Sequence, residues 1–166
     1  MAIPYRGATT AATYFVTAGT SFKKNLLQSD RMAELFCETL FRYRDQPKFR
    51  VHALVVMPNH FHLILTVPEG LTLERAMQFI KGGFSYQAGK LLGGRCTIWQ
   101  KSFVDRRIRD GAELEKYRNY IHQNPVRAGL VGAAEYRYSS LNPAFVMDEL
   151  PQRLKPAFNM DSVMHR

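Results

Sequence analysis

The strongest constraint on the fold is a largely apolar stretch from Val51 to Val67 that is interrupted at Pro58-Asn59. β-Branched and aromatic residues fill both halves, and Pro-Asn favours a turn, so the sequence predicts two strands joined by a short turn. Side chains alternate between the two faces of a strand, so His60 and His62 share one face of the second strand. The opposite face carries four apolar side chains: Phe61, Leu63, Leu65 and Val67.

This pair of histidines has the spacing of a metal site. Residues two apart on a strand project in parallel, about 6–7 Å apart at the backbone, so the two imidazole nitrogens can converge on one divalent cation. Two half-exposed polar side chains with no ligand would give the same pattern. The histidine pair alone therefore leaves both interpretations open.

The composition is that of one globular domain with a basic surface. Apolar residues make up 46% of the 166 residues, which is enough for a core. Lys and Arg outnumber Asp and Glu by 23 to 14, for a formal charge of +9. Such an excess favours a polyanionic partner such as a nucleic acid. A membrane surface or a requirement for solubility would also explain it.

The sequence predicts no membrane span and a cytoplasmic location. No apolar run approaches the roughly 20 residues of a transmembrane helix, and the first residues lack the pattern of a signal peptide. Cys37 and Cys96 are far apart and lack metal-type spacing, so we expect reduced thiols.

The other elements follow from periodicity and capping signals. Before the central pair of strands, we expect a first strand at Thr13–Thr17 and a helix from Ser29 or Asp30 to about Tyr43. After it we expect a helix that is capped by Thr72, runs to about Leu92 and is weakened midway by Gly82-Gly83. An irregular fourth strand would follow, formed by Thr97–Trp99 and Phe103–Val104. A last helix would begin at Asp110 and Glu113 and end at Pro125.

This order of elements predicts an α+β, ferredoxin-like fold, in which two helices cover one face of an antiparallel sheet. The strand with the histidines would be central, and His60 and His62 would lie on the face left free for a ligand or for the last helix. We assign residues 1–140 to this domain and residues 141–166 to a C-terminal tail that can be loosely held.

The last helix contains a second polar constellation. Tyr120 and Asn124 are four residues apart and therefore share a helical face, which Tyr117 also joins. A phenol and an amide oxygen would then be presented together. On its own, the pattern fits a packing stripe of Tyr117, Tyr120 and Ile121 at least as well.

Together the two motifs resemble a known family. Val56-Met57-Pro58-Asn59-His60-Phe61-His62-Leu63, followed by Tyr120-Ile121-His122-Gln123-Asn124-Pro125-Val126-Arg127-Ala128-Gly129-Leu130-Val131, resembles the single-tyrosine HUH (IS200-like) transposases. Within them, the chain is most similar to the REP-associated tyrosine transposases, which are linked to repeated extragenic palindromes in bacteria. The resemblance extends from Thr13 to about Ser140.

The resemblance implies a metal-dependent endonuclease and strand transferase that acts on single-stranded DNA beside hairpins. By this resemblance, Tyr120 is the nucleophile, which becomes linked to a 5′ phosphate, and His60, His62 and Asn124 are metal ligands. A free phenol has a pKa near 10 and is a weak nucleophile at pH 7, which makes assistance by a metal reasonable. Imidazole and amide ligands that leave open positions favour Mg²⁺ or Mn²⁺.

Other expectations concern partners and DNA contacts. Arg106, Arg107, Arg109 and Arg127 are candidate contacts to DNA phosphates, although a solvated basic loop would look the same. The partner would be single-stranded or hairpin DNA in the bacterial nucleoid, bound by a monomer or a homodimer. Two alternatives remain: a regulator that binds palindromic repeats without cleaving them, and a phosphodiesterase that uses a metal-bound water.

Overall fold

The computed structural model describes residues 11–155, which form four strands and three α-helices. The strands are β1 (Ala12–Gly19), β2 (Arg50–Met57), β3 (His60–Val67) and β4 (Val104–Ile108). The helices are α1 (Asp30–Asp45), α2 (Leu73–Leu92) and α3 (Gly111–Arg127). Short 3₁₀ turns lie at Ser21–Lys23, Leu26–Gln28, Ala133–Glu135 and Gln152–Leu154.

The four strands form one antiparallel sheet in the order β2-β3-β1-β4. β3 therefore lies inside the sheet, where it pairs with β1 on one side and with β2 on the other. This arrangement confirms the ferredoxin-like α+β fold and the central position of the strand with the histidines.

Each helix begins where its capping residue predicts. The side chain of Ser29 accepts a hydrogen bond from the backbone N–H of Met32, and the side chain of Thr72 accepts one from Arg75. These caps satisfy backbone donors that the first turn of a helix leaves unpaired. Asp110 does the same for α3, where its side chain accepts from the backbone N–H of Glu113.

Alternation along the strands gives the sheet two different apolar faces. One face packs under α1 and α2, where Phe36, Phe61 and Phe84 are fully buried. The other face packs under α3 through Phe15 and Ile121, with the other members of this smaller cluster being Ala53, Val55, Met57, Ile64, Ile108, Leu114 and Leu154. Burial of this smaller cluster holds α3 against the face of the sheet that carries His60 and His62.

The fourth strand differs from its prediction. Thr97–Trp99 is not part of a strand, although Trp99 makes an isolated bridge to Thr20. The apolar residues of this segment fill the core, where Trp99 packs edge-on against Phe61. β4 instead begins at Val104 and pairs only with β1, at the edge of the sheet.

The sequence predicted that Pro125 ends the last helix, and this prediction is wrong. Pro125 lies inside the final turn of α3. Pro125 lacks an N–H, yet α3 continues to Arg127 and then closes with Gly129 in the left-handed conformation (φ 70°). The N–H of Gly129 bonds to Val126 and that of Leu130 bonds to Pro125, which is the Schellman pattern of helix ends.

The described part of the C-terminal segment, residues 141–155, packs against the domain. The carboxylate of Asp148 accepts a hydrogen bond from the backbone N–H of Val51 at 2.7 Å, and Leu154 is buried beside α3. The domain boundary at residue 140 stays a prediction, and residues 156–166 lie outside the described residues. Within residues 11–155, no helix is long and apolar enough to cross a membrane.

Candidate active site

His60 and His62 lie at the start of β3 and point to the face of the sheet that α3 covers. Their ring centroids are 4.8 Å apart, and the ring planes are nearly perpendicular. His62 is only 4% exposed, whereas His60 is half-buried. The two imidazoles therefore form a compact pair beneath the last helix.

Two neighbours hold the Nδ1 atoms of these rings. His60 Nδ1 donates to the side-chain oxygen of Asn59 at 2.7 Å. His62 Nδ1 lies 2.7 Å from the hydroxyl of Thr17, its cross-strand partner on β1. With Nδ1 engaged in each ring, Nε2 is the nitrogen left to offer a lone pair to a metal ion.

Burial favours the neutral form of both imidazoles. Burial, together with the positive charges that His60 and Arg127 can carry, lowers the pKa of His62 to about 3. Burial also lowers the pKa of His60, against a hydrogen bond with Asn124 that raises it. Neutral imidazole is the form that binds metal ions.

α3 brings Asn124 to the histidines. The Asn124 amide nitrogen lies 3.4 Å from His62 Nε2, and the same side chain also makes a hydrogen bond with His60. One amide thus bridges both rings. The structure brings together the three residues that the family resemblance implies as metal ligands.

Tyr120 lies on α3 one turn before Asn124 and borders the same site. Its ring meets His62 edge-on at 5.3 Å, and 41% of the residue is exposed. The guanidinium of Arg127 lies 4.3 Å from the centre of the Tyr120 ring and donates to the Tyr120 carbonyl at 2.9 Å. Tyr120 therefore combines solvent access with a nearby positive charge.

Tyr117 occupies a different environment from Tyr120. Its ring stacks on Phe15 of β1 with a centroid distance of 4.6 Å, and it is half-buried. Phe15 also stacks on His62, at 5.5 Å. Tyr117 thus packs α3 against the sheet, which is the role that the alternative interpretation gave to the tyrosines of this helix.

A cleft of about 610 Å³ opens beside Tyr120 and His62. β1 forms its floor through Phe15 and Thr17. The remaining lining comes from the edge strand and one side of α3: Val104, Lys116, Tyr117, Asn119, Gln123 and Arg127. The cleft offers apolar surface, two amides and two positive charges next to an exposed phenol, which suits a ligand with flat rings and phosphates.

The four candidate arginines are not grouped together. Arg127 lies at the site, on the ring of Tyr120. Arg106 and Arg107 are exposed neighbours on β4, so their side chains project to opposite faces of the sheet. Arg109 follows β4, where its backbone N–H bonds to Glu113.

Sequence reasoning missed Thr17, Phe15 and the side-chain role of Asn59. Thr17 and Phe15 reach the site only through the pairing of β1 with β3, and this register is not visible in a single strand. Asn59 directly precedes His60 and was predicted only as a turn residue. A short side chain with an acceptor oxygen next to a candidate metal ligand could have predicted this hydrogen bond to His60.

Comparisons with known proteins agree on one family. Residues 8–124 match the family described as "Transposase IS200 like". The REP-associated tyrosine transposase of Escherichia coli K12 is 31% identical over 120 residues, which cover 72% of this chain and 69% of that protein. A Haemophilus influenzae protein assigned to the same transposases is 26% identical over 146 residues, which cover 77% of this chain and 82% of that one.

Two solved structures share the fold. A REP-associated tyrosine transposase bound to a REP hairpin superimposes with a TM-score of 0.71 and 23% identity, over 95% of this chain and 96% of that one. A transposase crystal structure from Deinococcus radiodurans R1 gives a TM-score of 0.52 and 17% identity, over 79% of this chain and 99% of that one.

Proposed function

The chain belongs to the IS200-like transposase family and, within it, to the REP-associated tyrosine transposases, and from this membership we propose how it acts. It is a metal-dependent endonuclease and strand transferase for single-stranded DNA, and it works at hairpin-forming repeats through a 5′-phosphotyrosine intermediate. The observation that carries the proposal is the meeting of Tyr120 and Asn124 on α3 with the histidine pair on β3.

DNA is the partner that the surface and the comparisons support. The chain carries a formal charge of +9, and a structural relative holds a REP hairpin. The cleft beside Tyr120 contains Lys116 and Arg127, which can neutralise phosphates, and the amides of Asn119 and Gln123, which can bond to base edges. A single strand that enters this cleft would bring its backbone to the phenol.

The donor set fits a divalent metal ion. His60 and His62 offer Nε2 lone pairs, and half a turn of the Asn124 amide about its last bond would present an oxygen in place of nitrogen. Within residues 11–155, no cluster of three or more His, Cys, Asp or Glu side chains offers a rival site. When bound, Mg²⁺ or Mn²⁺ would polarise the scissile phosphate and neutralise charge that develops on it.

Tyr120 supplies the nucleophile. Its phenolic oxygen forms a bond to phosphorus and loses its proton, while the bond from phosphorus to the 3′ oxygen breaks and that oxygen takes up a proton. The products are a 5′-phosphotyrosine and a free 3′ hydroxyl. Since the adduct is itself a phosphodiester, attack by a 3′ hydroxyl can reverse the reaction and join strands without ATP.

Arg127 positions Tyr120 and faces the same phosphate. Its guanidinium lies over the phenol ring and donates to the Tyr120 carbonyl, so the positive charge stays against the Tyr120 side chain. A fixed positive charge there stabilises the phosphate in the transition state, where negative charge develops, more than it stabilises the phosphate of the unreacted substrate.

A covalent adduct tests the proposal. The protein is incubated with single-stranded DNA that contains a REP-type hairpin, in Mg²⁺ or Mn²⁺, and then denatured. We expect a protein–DNA band that Tyr120→Phe abolishes and that Tyr117→Phe, the matched phenol on the same helix, retains. Cleavage without an adduct would overturn the tyrosine mechanism in favour of a hydrolase, and binding without cleavage would favour a regulator.

A further inference from the structure

The loop after β1 presents an aromatic side chain to solvent in a strained backbone conformation. Phe22 is 89% exposed, so its ring contributes little to packing. Its backbone lies in the left-handed region (φ 55°, ψ 24°), and Lys23 follows with φ 53°. Residues with a Cβ rarely adopt this conformation, because the side chain crowds the backbone. Two such residues in succession without glycine are typical of segments with a functional role.

Backbone hydrogen bonds on both sides of Phe22 hold the loop to neighbouring segments. Thr20 donates its backbone N–H to the carbonyl of Asn59 at 2.9 Å, and Ser21 donates to Ile98 at 2.7 Å. Leu27, after the loop, donates to the carbonyl of Pro58 at 2.9 Å. The surrounding structure therefore imposes the left-handed turn that places the ring in solvent.

The same contacts place the loop beside the active site. Asn59 binds Thr20 through its main chain and His60 through its side chain. Gly19, the last residue of β1, pairs directly with His60 on β3. Phe22 thus follows the end of β1 at which the histidine pair lies.

The charges around Phe22 match a nucleic acid. Lys23 and Lys24 are both exposed and directly follow the aromatic ring. Exposed aromatic rings with adjacent cations are the combination that binds single-stranded DNA, because a ring stacks on an unpaired base while the cations contact its phosphates. An apolar protein partner would not explain the paired lysines.

We infer that Phe22 is a stacking platform for an unpaired base of the strand that enters the active site, with Lys23 and Lys24 contacting the adjoining phosphates. This inference rests on the proposed function and adds to it a second point of contact with the single strand, apart from the cleft at Tyr120. Phe22 would then set how strongly the protein prefers a hairpin with single-stranded flanks over a bare hairpin.

The backbone conformation makes a decisive substitution possible. Glycine favours positive φ, so Phe22→Gly removes the ring and relieves the strain at once, and the thermal midpoint should not fall. Phe22→Asn serves as a second variant, since asparagine tolerates the left-handed region and keeps a side chain. Tyr86→Ala is the matched control, because Tyr86 is another exposed aromatic residue but lies on α2.

Binding is measured by fluorescence anisotropy, in EDTA to prevent cleavage, with two labelled DNA hairpins. One has a short single-stranded extension at each end, and the other has a blunt stem. We expect Phe22→Gly and Phe22→Asn to bind the extended hairpin at least about fivefold more weakly. Their affinity for the blunt hairpin should stay within twofold of the wild-type value, and Tyr86→Ala should keep the wild-type preference for the extended hairpin.

A spectroscopic signature tests stacking directly. The chain has one tryptophan, Trp99, which is buried. The variant Phe22→Trp therefore adds an exposed indole, whose fluorescence should be quenched by the extended hairpin and not by the blunt one.

The outcomes separate this inference from the proposed function. Wild-type affinity for the extended hairpin in Phe22→Gly would overturn the stacking role, even if the adduct at Tyr120 forms normally. A wild-type protein that does not prefer the extended hairpin would overturn it as well. Absence of the adduct, with binding that still depends on Phe22, would instead overturn the cleavage mechanism and retain the platform.

Discussion

At the scale of single residues, the candidate site depends on side chains that hold the two imidazoles in place. Asn59 accepts a hydrogen bond from His60 Nδ1, and the Thr17 hydroxyl is hydrogen-bonded to His62 Nδ1, so each side chain engages one nitrogen of a ring. Such partners fix the orientation of a ligand as well as its tautomer. Under the proposed function, the histidine pair is therefore oriented before a metal ion binds.

Replacing Thr17 tests this orientation. Thr17→Val keeps the shape of the side chain but removes the hydroxyl that is hydrogen-bonded to His62 Nδ1, so we expect Mn²⁺ to bind about 10- to 100-fold more weakly. Calorimetric titration with Mn²⁺ measures the affinity. Thr13→Val is the matched control, because Thr13 is a buried threonine of β1 that bonds to Thr66 instead. Equal losses in both variants would show that the effect comes from general packing.

Arg127 provides a second test at this scale. Arg127→Ala removes the guanidinium beside Tyr120 while leaving the phenol, so adduct formation should slow by about 10²-fold or more. The rate is measured in single-turnover reactions with hairpin DNA. Arg118→Ala, another arginine of α3 that pairs with Glu115, should react at the wild-type rate. An unchanged rate in Arg127→Ala would remove Arg127 from the mechanism.

At the scale of elements, local sequence patterns predicted the site residues on α3 better than those that the sheet brings to the site. The spacing of Tyr120 and Asn124 follows from helical geometry alone. The place of Thr17 opposite His62 depends on strand register, which arises from tertiary pairing. The fourth strand was misassigned because the β-prone segment Thr97–Trp99 serves the core, while the charged β4 pairs at an edge, where polar residues are tolerated.

The two adjacent glycines in the middle of α2, Gly82 and Gly83, should respond differently to alanine. A Cβ at Gly82 would meet no atom within 4 Å, so Gly82→Ala should raise the free energy of unfolding by about 1 kcal/mol. A Cβ at Gly83 would lie 2.6 Å from the ring of Tyr43 on α1, which rests against Phe79. Gly83→Ala should therefore lower it by about 1–3 kcal/mol. Urea denaturation measures both values, and equal stabilisation would contradict the close approach of α1 and α2.

At the scale of the whole molecule, the order of elements was sufficient to predict the topology, but not the path of the C-terminal segment. That segment has no periodic signal, yet Asp148 bonds to β2 through its carboxylate, its N–H and its carbonyl.

A buried chain of hydrogen bonds crosses the sheet there. It runs from Thr13 on β1 through Thr66 on β3 to His52 on β2, and it ends at the Asp148 carbonyl.

This chain makes stability depend on pH through His52. Burial lowers the pKa of His52 in the folded state, and the charge of Arg50 also lowers it, against a raising influence of the Asp148 carbonyl and carboxylate. The unfolded chain therefore takes up a proton near pH 6.5 that the folded protein resists. The stabilising contribution of neutral His52 is fully present above this pH and is lost as the pH falls below it.

Replacing His52 with a group that does not titrate isolates that contribution. In His52→Gln, an amide can still donate and accept, so the fall in the free energy of unfolding between pH 7 and pH 5 should be shallower than in the wild type. The difference in slope is at most about 1.4 kcal/mol per pH unit, the value for one proton. Urea denaturation across this range measures it. His60, His62 and His122 also have lowered pKa values and add to the slope of both proteins, so the difference reports on His52. Parallel curves would show that His52 is not kept neutral by the fold.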